Sequence, residues 1–254
     1  MKTLYVAWQT AGPTRAWFPI GRLDADVKQE TYVFRYTHGA LKARDEFGFT
    51  PLLSFPQFEQ AYESSELFPL FQNRVLGSNR KDFVEYLRWL DLGDSRADPI
   101  EILALTGGER QTDSLEVFPK IDKQSDGTFR YRFFLHGLRH VSPAARSRAN
   151  VLLTKEKLQI ALELNNPATG YAVQLQTADA YLIGWTPRYL VPDLVMAISE
   201  HPAISAQVVR INREPAPLAH RILVELTGKL PKNAEPMSSG EFKPLVASPA
   251  LTAI

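Results

Sequence analysis

The residues best suited to chemistry in this sequence are cations and aromatics in alternation. Arg130 and Arg132 alternate with Phe129, Tyr131 and Phe133, a period of two that puts the two sets on opposite faces of a strand. Arg139 and His140 follow directly, and a second cluster, Trp185, Arg188 and Tyr189, comes after Ile183-Gly184. Arginines neutralise phosphates and aromatic faces stack on unpaired bases, so this combination fits a single-stranded nucleic acid. Trp185 and Tyr189 each read equally well as aromatics that close a core. The predicted contact set is Arg132, Arg139, His140, Trp185, Arg188 and Tyr189.

Other spacings carry less. Ser78-Asn79-Arg80-Lys81 has the S-x-x-K spacing of an acyl-transfer pair, but no companion motif accompanies it and a helix cap at Ser78 or Asn79 accounts for it. His136 and His140 are four apart, yet Gly137 interrupts any helix and no third ligand has matching spacing, so no metal is expected. Gly107-Gly108 lacks the Lys-Ser/Thr of a phosphate loop and reads as a helix end. The chain has no Cys, which excludes thiol nucleophiles and thiolate metal sites. No catalytic constellation and no cofactor motif is visible, so the expectation is a protein without enzymatic activity or cofactor.

An α+β frame must position these residues. Leu4–Gln9, Arg15–Leu23 and Thr31–Thr37 are short runs rich in Val, Trp, Tyr and Phe, separated by Ala11-Gly12-Pro13 and by the polar run Asp24–Glu30; they predict a three-stranded meander. Phe83, Leu87 and Leu90 then recur at helical spacing up to Gly93, and Asp98-Pro99 opens a second helix that Gly107 closes. Beyond residue 115 strands return: Phe129–His136, Leu158–Leu164, Tyr171–Thr177, Ala180–Trp185, Gln207–Arg213 and His220–Leu226. Thr186-Pro187 caps a helical stretch that Pro192 is expected to kink or break. Six short strands with two short helices predict a small β-barrel.

The charge supports the same division. The 254 residues include 29 Lys+Arg and 28 Asp+Glu, a net of +1. Residues 1–118 carry 13 basic and 17 acidic residues, 119–160 carry 9 and 3, and 161–254 carry 7 and 8, so the middle stands at +6 and favours a polyanion unless acidic groups of the fold oppose it. The expected organisation is an α+β module over 1–118, a barrel over 119–227 and a flexible tail over 228–254, where Pro231, Pro236, Pro244 and Pro249 interrupt any helix. No apolar run approaches the roughly 18 residues of a membrane span and the start lacks a signal-peptide pattern, so a cytoplasmic location without membrane contact is expected.

An ordered set of short motifs resembles the HIRAN domain: His136-Gly137-Leu138-Arg139-His140, Asn165-Asn166-Pro167, Tyr171-Ala172-Val173, Ile183-Gly184 and Pro187-Arg188-Tyr189-Leu190. The resemblance implies an OB-like or SH3-like barrel of the kind found alone in bacteria and fused to chromatin-remodelling helicases, where one member captures the 3′ end of single-stranded DNA. It implies that Arg139-His140 matches an Arg-aromatic pair that contacts DNA. The family's Tyr-Asp after Asn-Pro is replaced by Ala168-Thr169, which removes the groups that stack a base and bond the terminal hydroxyl. The first half, through Leu4–Trp8, Gly21-Arg22-Leu23, Tyr32–Tyr36 and the run from Phe55-Pro56 to Leu76, resembles the N-terminal subdomain of HipA-type toxin kinases, with nothing after it like their kinase domain. The function expected is noncatalytic binding of single-stranded or end-containing DNA. The rival expectation is a regulatory module that docks on a protein partner, such as a toxin kinase or a defence or repair enzyme, through residues 1–118.

Overall fold

Strand-forming runs of Val, Tyr, Phe and Trp at both ends of the sequence need two separate sheets to bury them, and the computed structural model has two compact units. It describes residues 1–11, 15–93, 98–110, 112–200 and 203–247. The first unit comprises Met1–Ser78, Asp98–Lys120 and Ser238–Ile254, and the second Asn79–Ala97 and Ile121–Met237. In chain order, β1 (Lys2–Gln9), β2 (Trp17–Asp26), β3 (Thr31–Tyr36), α1 (His38–Phe47), β4 (Ala61–Ser64) and α2 (Pro69–Gln72) belong to the first unit. α3 (Phe83–Trp89) belongs to the second, and α4 (Pro99–Thr106) and β5 (Leu115–Pro119) return to the first. β6 (Thr128–Phe134), α5 (Pro143–Ala149), β7 (Lys157–Asn166), β8 (Gly170–Gln176), β9 (Leu182–Trp185), α6 (Val191–Glu200), β10 (Ser205–Ile211) and β11 (Ile222–Lys229) complete the second.

The predicted meander is present as β1, β2 and β3, extended at its edges into a five-stranded sheet of order β4-β3-β2-β1-β5; its expected turn at Gly12-Pro13 lies outside the described residues. One face carries Leu4, Leu23 and Phe34 in register and buries them with Phe71, Ile100 and Phe55, whose ring stacks on Phe34 at 3.9 Å. The other holds a buried charged cluster in which the Asp24 carboxylate accepts from Arg22 (Nη2 2.8 Å), Thr3 (2.6 Å) and Arg35. α4 starts and stops where the sequence predicts: Asp98 Oδ1 accepts from the Ile100 N–H at 2.9 Å, and Gly107 closes the helix at φ 71°. Ser78 and Asn79 do not cap α3, whose N-cap is Asp82, and the helix ends at Leu90 before Gly93.

The predicted tail is corrected over its described part, 228–247. β11 runs on to Lys229, and the Lys123 ammonium binds the Pro231 and Lys232 carbonyls at 3.2 and 2.8 Å. In the first unit, Phe242 packs edge-on against Tyr5 at 4.8 Å, Pro244 bridges Thr37, and the Leu245 N–H donates to the Tyr36 carbonyl at 2.9 Å. The prolines interrupt long helices, but turns and the 3-10 turn Gly240–Phe242 tolerate them and still bond to neighbouring backbone. Residues 248–254 lie outside the described part. The expected boundaries also shift, because 79–97 joins the second unit and 238–247 the first: the Trp89 carbonyl accepts from Asn212 Nδ2 at 2.9 Å, a long-range tie that no local pattern signals.

The second unit is a six-stranded antiparallel sheet of order β6-β11-β10-β7-β8-β9. It is not the closed barrel predicted. No ladder joins β6 to β9; the chain just past β6 meets β9 at a single bridge, with His136 N–H to the Trp185 carbonyl and Trp185 N–H to the His136 carbonyl, both 3.0 Å. Pro192 neither kinks nor breaks α6, because it is the second residue of that helix, where a missing N–H costs nothing. Among the described residues no helix is long and apolar enough to cross a membrane.

Candidate nucleic-acid interface

Two glycines make the His136–Trp185 bridge. Gly184 has φ 153°, and a Cβ there would lie 2.4 Å from the His136 carbonyl oxygen. Gly137 has φ 76°, and a Cβ there would lie 2.4 Å from Trp185 Cε3, so the indole rests directly on the Gly137 backbone. Only residues without side chains let the two segments approach this closely. The bridge gathers what the sequence keeps far apart: Arg139 and His140, in a 3-10 turn (Leu138–His140) after Gly137, and Arg188, three residues beyond Trp185. Arg139 and His140 are exposed, with Arg139 Nε–H donating to His140 Nε2 at 2.9 Å, and the Arg188 charge acts on His136.

The half-buried Trp185 is fixed at its polar edge. Its Nε1–H donates to Glu163 Oε2 at 2.7 Å, and Asn166 Nδ2 donates to the same oxygen at 3.0 Å. Burial pushes the Glu163 carboxyl up, but the hydrogen bonds from Trp185, Asn166 and Gln174 outweigh it and hold the group below its ordinary value. Glu163 and Asn166 lie on β7, and Gln174 on β8 pairs in register with Trp185. Glu163 thus places an anion at the indole edge, while Arg139 and Arg188 carry cations near the bridge.

Two predicted residues are corrected. Tyr189 is buried at 7% exposure with its ring 6.4 Å from Tyr131, so it is a core aromatic with no face for a base. Arg132 is neutralised: its Nε donates to Glu225 at 2.8 Å and its Nη1 meets Asp91 at 3.2 Å. Glu225 is its register partner on β11 and also faces Arg130 at 3.7 Å. The alternation along β6 is as expected, with Phe129, Tyr131 and Phe133 buried, but its polar face is matched by acids from β11 and from the segment after α3. Periodicity reports which side chains share a face, not what pairs with them across a sheet. The four others, Arg139, His140, Trp185 and Arg188, fall around the bridge where the chain past β6 meets β9. Glu163 and Gly184 were missed as site residues; the signal for the second is a glycine directly before a strand-end Trp.

The turn between β7 and β8 shows what Ala168-Thr169 does. Asn166 Oδ1 accepts from the Ala168 and Thr169 N–H groups at 3.0 and 3.1 Å, and Thr169 Oγ1–H donates to the Tyr171 carbonyl at 2.8 Å, so both residues are spent on a tight exposed turn. Among the described residues His, Asp and Glu form no group of three or more able to hold a metal ion.

No family model matches the sequence, neither for HIRAN nor for HipA, and no curated protein matches it. A solved structure, the crystal structure of the HIRAN domain of human HLTF, is similar to this chain at 18% sequence identity and a TM-score of 0.30, over 40% of this chain and 74% of that one.

Proposed function

We propose that the second unit binds DNA, single-stranded or end-containing, without catalysing a reaction on it. The observation that supports this reading is the His136–Trp185 bridge, which brings the turn that carries Arg139 and His140 to the half-buried Trp185, three residues before Arg188. The arginines meet phosphates, and the part of the indole not resting on Gly137 offers apolar surface to a base. Ala168 and Thr169 have neither an aromatic face nor a carboxylate, so a free 3′ end and an internal site bind about equally.

Salt-dependent binding to single-stranded, blunt and overhang DNA tests the reading. Affinity falls with salt at a slope of about −0.7 per phosphate neutralised on a single strand, so Arg139→Ala flattens the slope by about that amount. Trp185→Ala costs about 1–3 kcal/mol with little change in slope. Tyr189→Phe and Arg132→Gln, which alter residues set aside above, leave the slope unchanged. Folded, monodisperse protein that binds no DNA at low salt refutes the proposal and turns attention to a protein partner for the first unit.

A further inference from the structure

The +6 segment does not place its free charge where the strand pattern suggests. Of its nine Lys and Arg residues, Arg130, Arg132 and Arg148 are ion-paired and Lys123 is spent on backbone carbonyls. Arg146, Lys155 and Lys157 are exposed and have no ion pair among the described residues. All three lie on α5 and the chain that follows it. The acids near them are already engaged: Arg148 binds Glu156, between the two lysines, and reaches Asp179 at 3.0 Å in the turn before β9. Glu156 also accepts from the Leu153 N–H at 2.9 Å, and the Lys155 N–H donates to the Val208 carbonyl at 2.7 Å.

The loop is therefore a fixed shelf. It presents Val151 and Leu153, 65% and 69% exposed, beside three unpaired cations, and its only carboxylate is occupied. α5 packs on β9, the strand that ends in Trp185, and follows the Arg139-His140 turn after two residues, so the shelf continues from the site already described. Cations over aliphatic surface suit a flexible polyanion that places phosphates on the amines and sugar edges on the methyl groups.

We infer that α5 and the loop to Lys157 form a second, sequence-independent contact surface for the same nucleic acid, carrying the strand away from the Trp185 end. This rests on the DNA-binding reading. It predicts a footprint longer than the bridge site can fill, and a salt slope that depends on ligand length.

The test compares the full chain with its Arg146→Gln/Lys155→Gln/Lys157→Gln variant on oligothymidylates of about 4 and about 16 nucleotides, lengths that span the usual site sizes of small single-strand-binding folds. For the unaltered chain the longer ligand should give a slope steeper by about 2, three phosphates at about 0.7 each. The triple variant should lose that increment on the long ligand and match the unaltered chain on the short one. Equal slopes for both lengths, or a triple variant that keeps the steeper slope, overturn the inference while short-ligand binding leaves the bridge site standing. Absence of binding to either length overturns both. Circular dichroism and melting confirm that the surface substitutions leave the fold intact.

Discussion

Replacing Gly137 by Ala puts a methyl group where the indole already is. The new Cβ would stand 2.4 Å from Trp185 Cε3 and 2.8 Å from Cζ3, at a backbone φ of 76°. A non-glycine residue in the left-handed region costs roughly 1–2 kcal/mol. Relief of the overlap requires Trp185 to move, which strains the bridge to His136 and the 2.7 Å bond to Glu163; overpacking of this kind costs about 1–3 kcal/mol. The sum is about 2–5 kcal/mol. Gly170→Ala is the control, because Gly170 has φ 74° but nothing within 4 Å of its Cβ position, so it carries the backbone cost alone. Urea unfolding of both variants isolates the indole contact: Gly137→Ala should lie about 1–3 kcal/mol below Gly170→Ala, a midpoint difference near 1 M for a slope of about 1–3 kcal/mol/M. Equal losses for the two alanines would show that the indole does not rest on Gly137 in solution, and the account of how Trp185 is held would fail with it.

Other substitutions probe each unit separately. Asp24→Asn removes the anion from a cluster with Arg35 only 4% exposed, and should destabilise the first unit by about 3–5 kcal/mol in thermal or denaturant melts. Burial pushes the Asp24 carboxyl up, while bonds from Arg22 and Thr3 and the charges of Arg22 and Arg35 outweigh this and hold it below its ordinary 3.8; its stabilisation is thus present above the ordinary range and lost as pH falls toward the depressed folded value, and the variant should show a flatter acid limb. Glu225→Gln leaves Arg132 with Asp91 alone and removes the acid that faces Arg130, and should cost about 1–2 kcal/mol at neutral pH, measured by urea unfolding, with the effect shrinking as pH falls below the ordinary carboxylate range. Phe242→Ala should cost about 2 kcal/mol through lost contact with Tyr5 and Phe118, and limited proteolysis should leave 238–247 intact in the parent chain; early trimming there would refute the docked arrangement.

Local signals in the sequence specify local structure well. Runs of strand-forming residues between turn signals mark β1 to β3, alternation marks β6, and Asp98-Pro99 with Gly107 marks both ends of α4, because capping, turn chemistry and alternation act within a few residues. β4, four residues long, carries no such signature and is defined by its pairing with β3. For the site, Arg139, His140, Trp185 and Arg188 were legible as types, whereas their meeting depends on a bridge between residues 49 apart in sequence, His136 and Trp185. Arg132 misled because the acid that neutralises it sits 93 residues away, at Glu225. Tyr189 misled because an aromatic at a helix start looks the same whether it turns outward or, as here, toward Tyr131.

The passage of the chain between units bears on the order in which this protein is made. Residues 238–247, which supply Phe242 and the Leu245 bond to the first unit, leave the ribosome only after the whole of the second. The first-made strands β1 to β3 therefore wait, with Tyr5 short of its Phe242 partner, while the second unit emerges and folds. The usual vectorial order, in which the N-terminal part finishes first, is reversed for the final step. A stalled nascent chain from which Met237 has just cleared the exit tunnel should already hold a native second unit and an unfinished first one, which makes this protein a natural subject for arrest-peptide measurements of folding during synthesis.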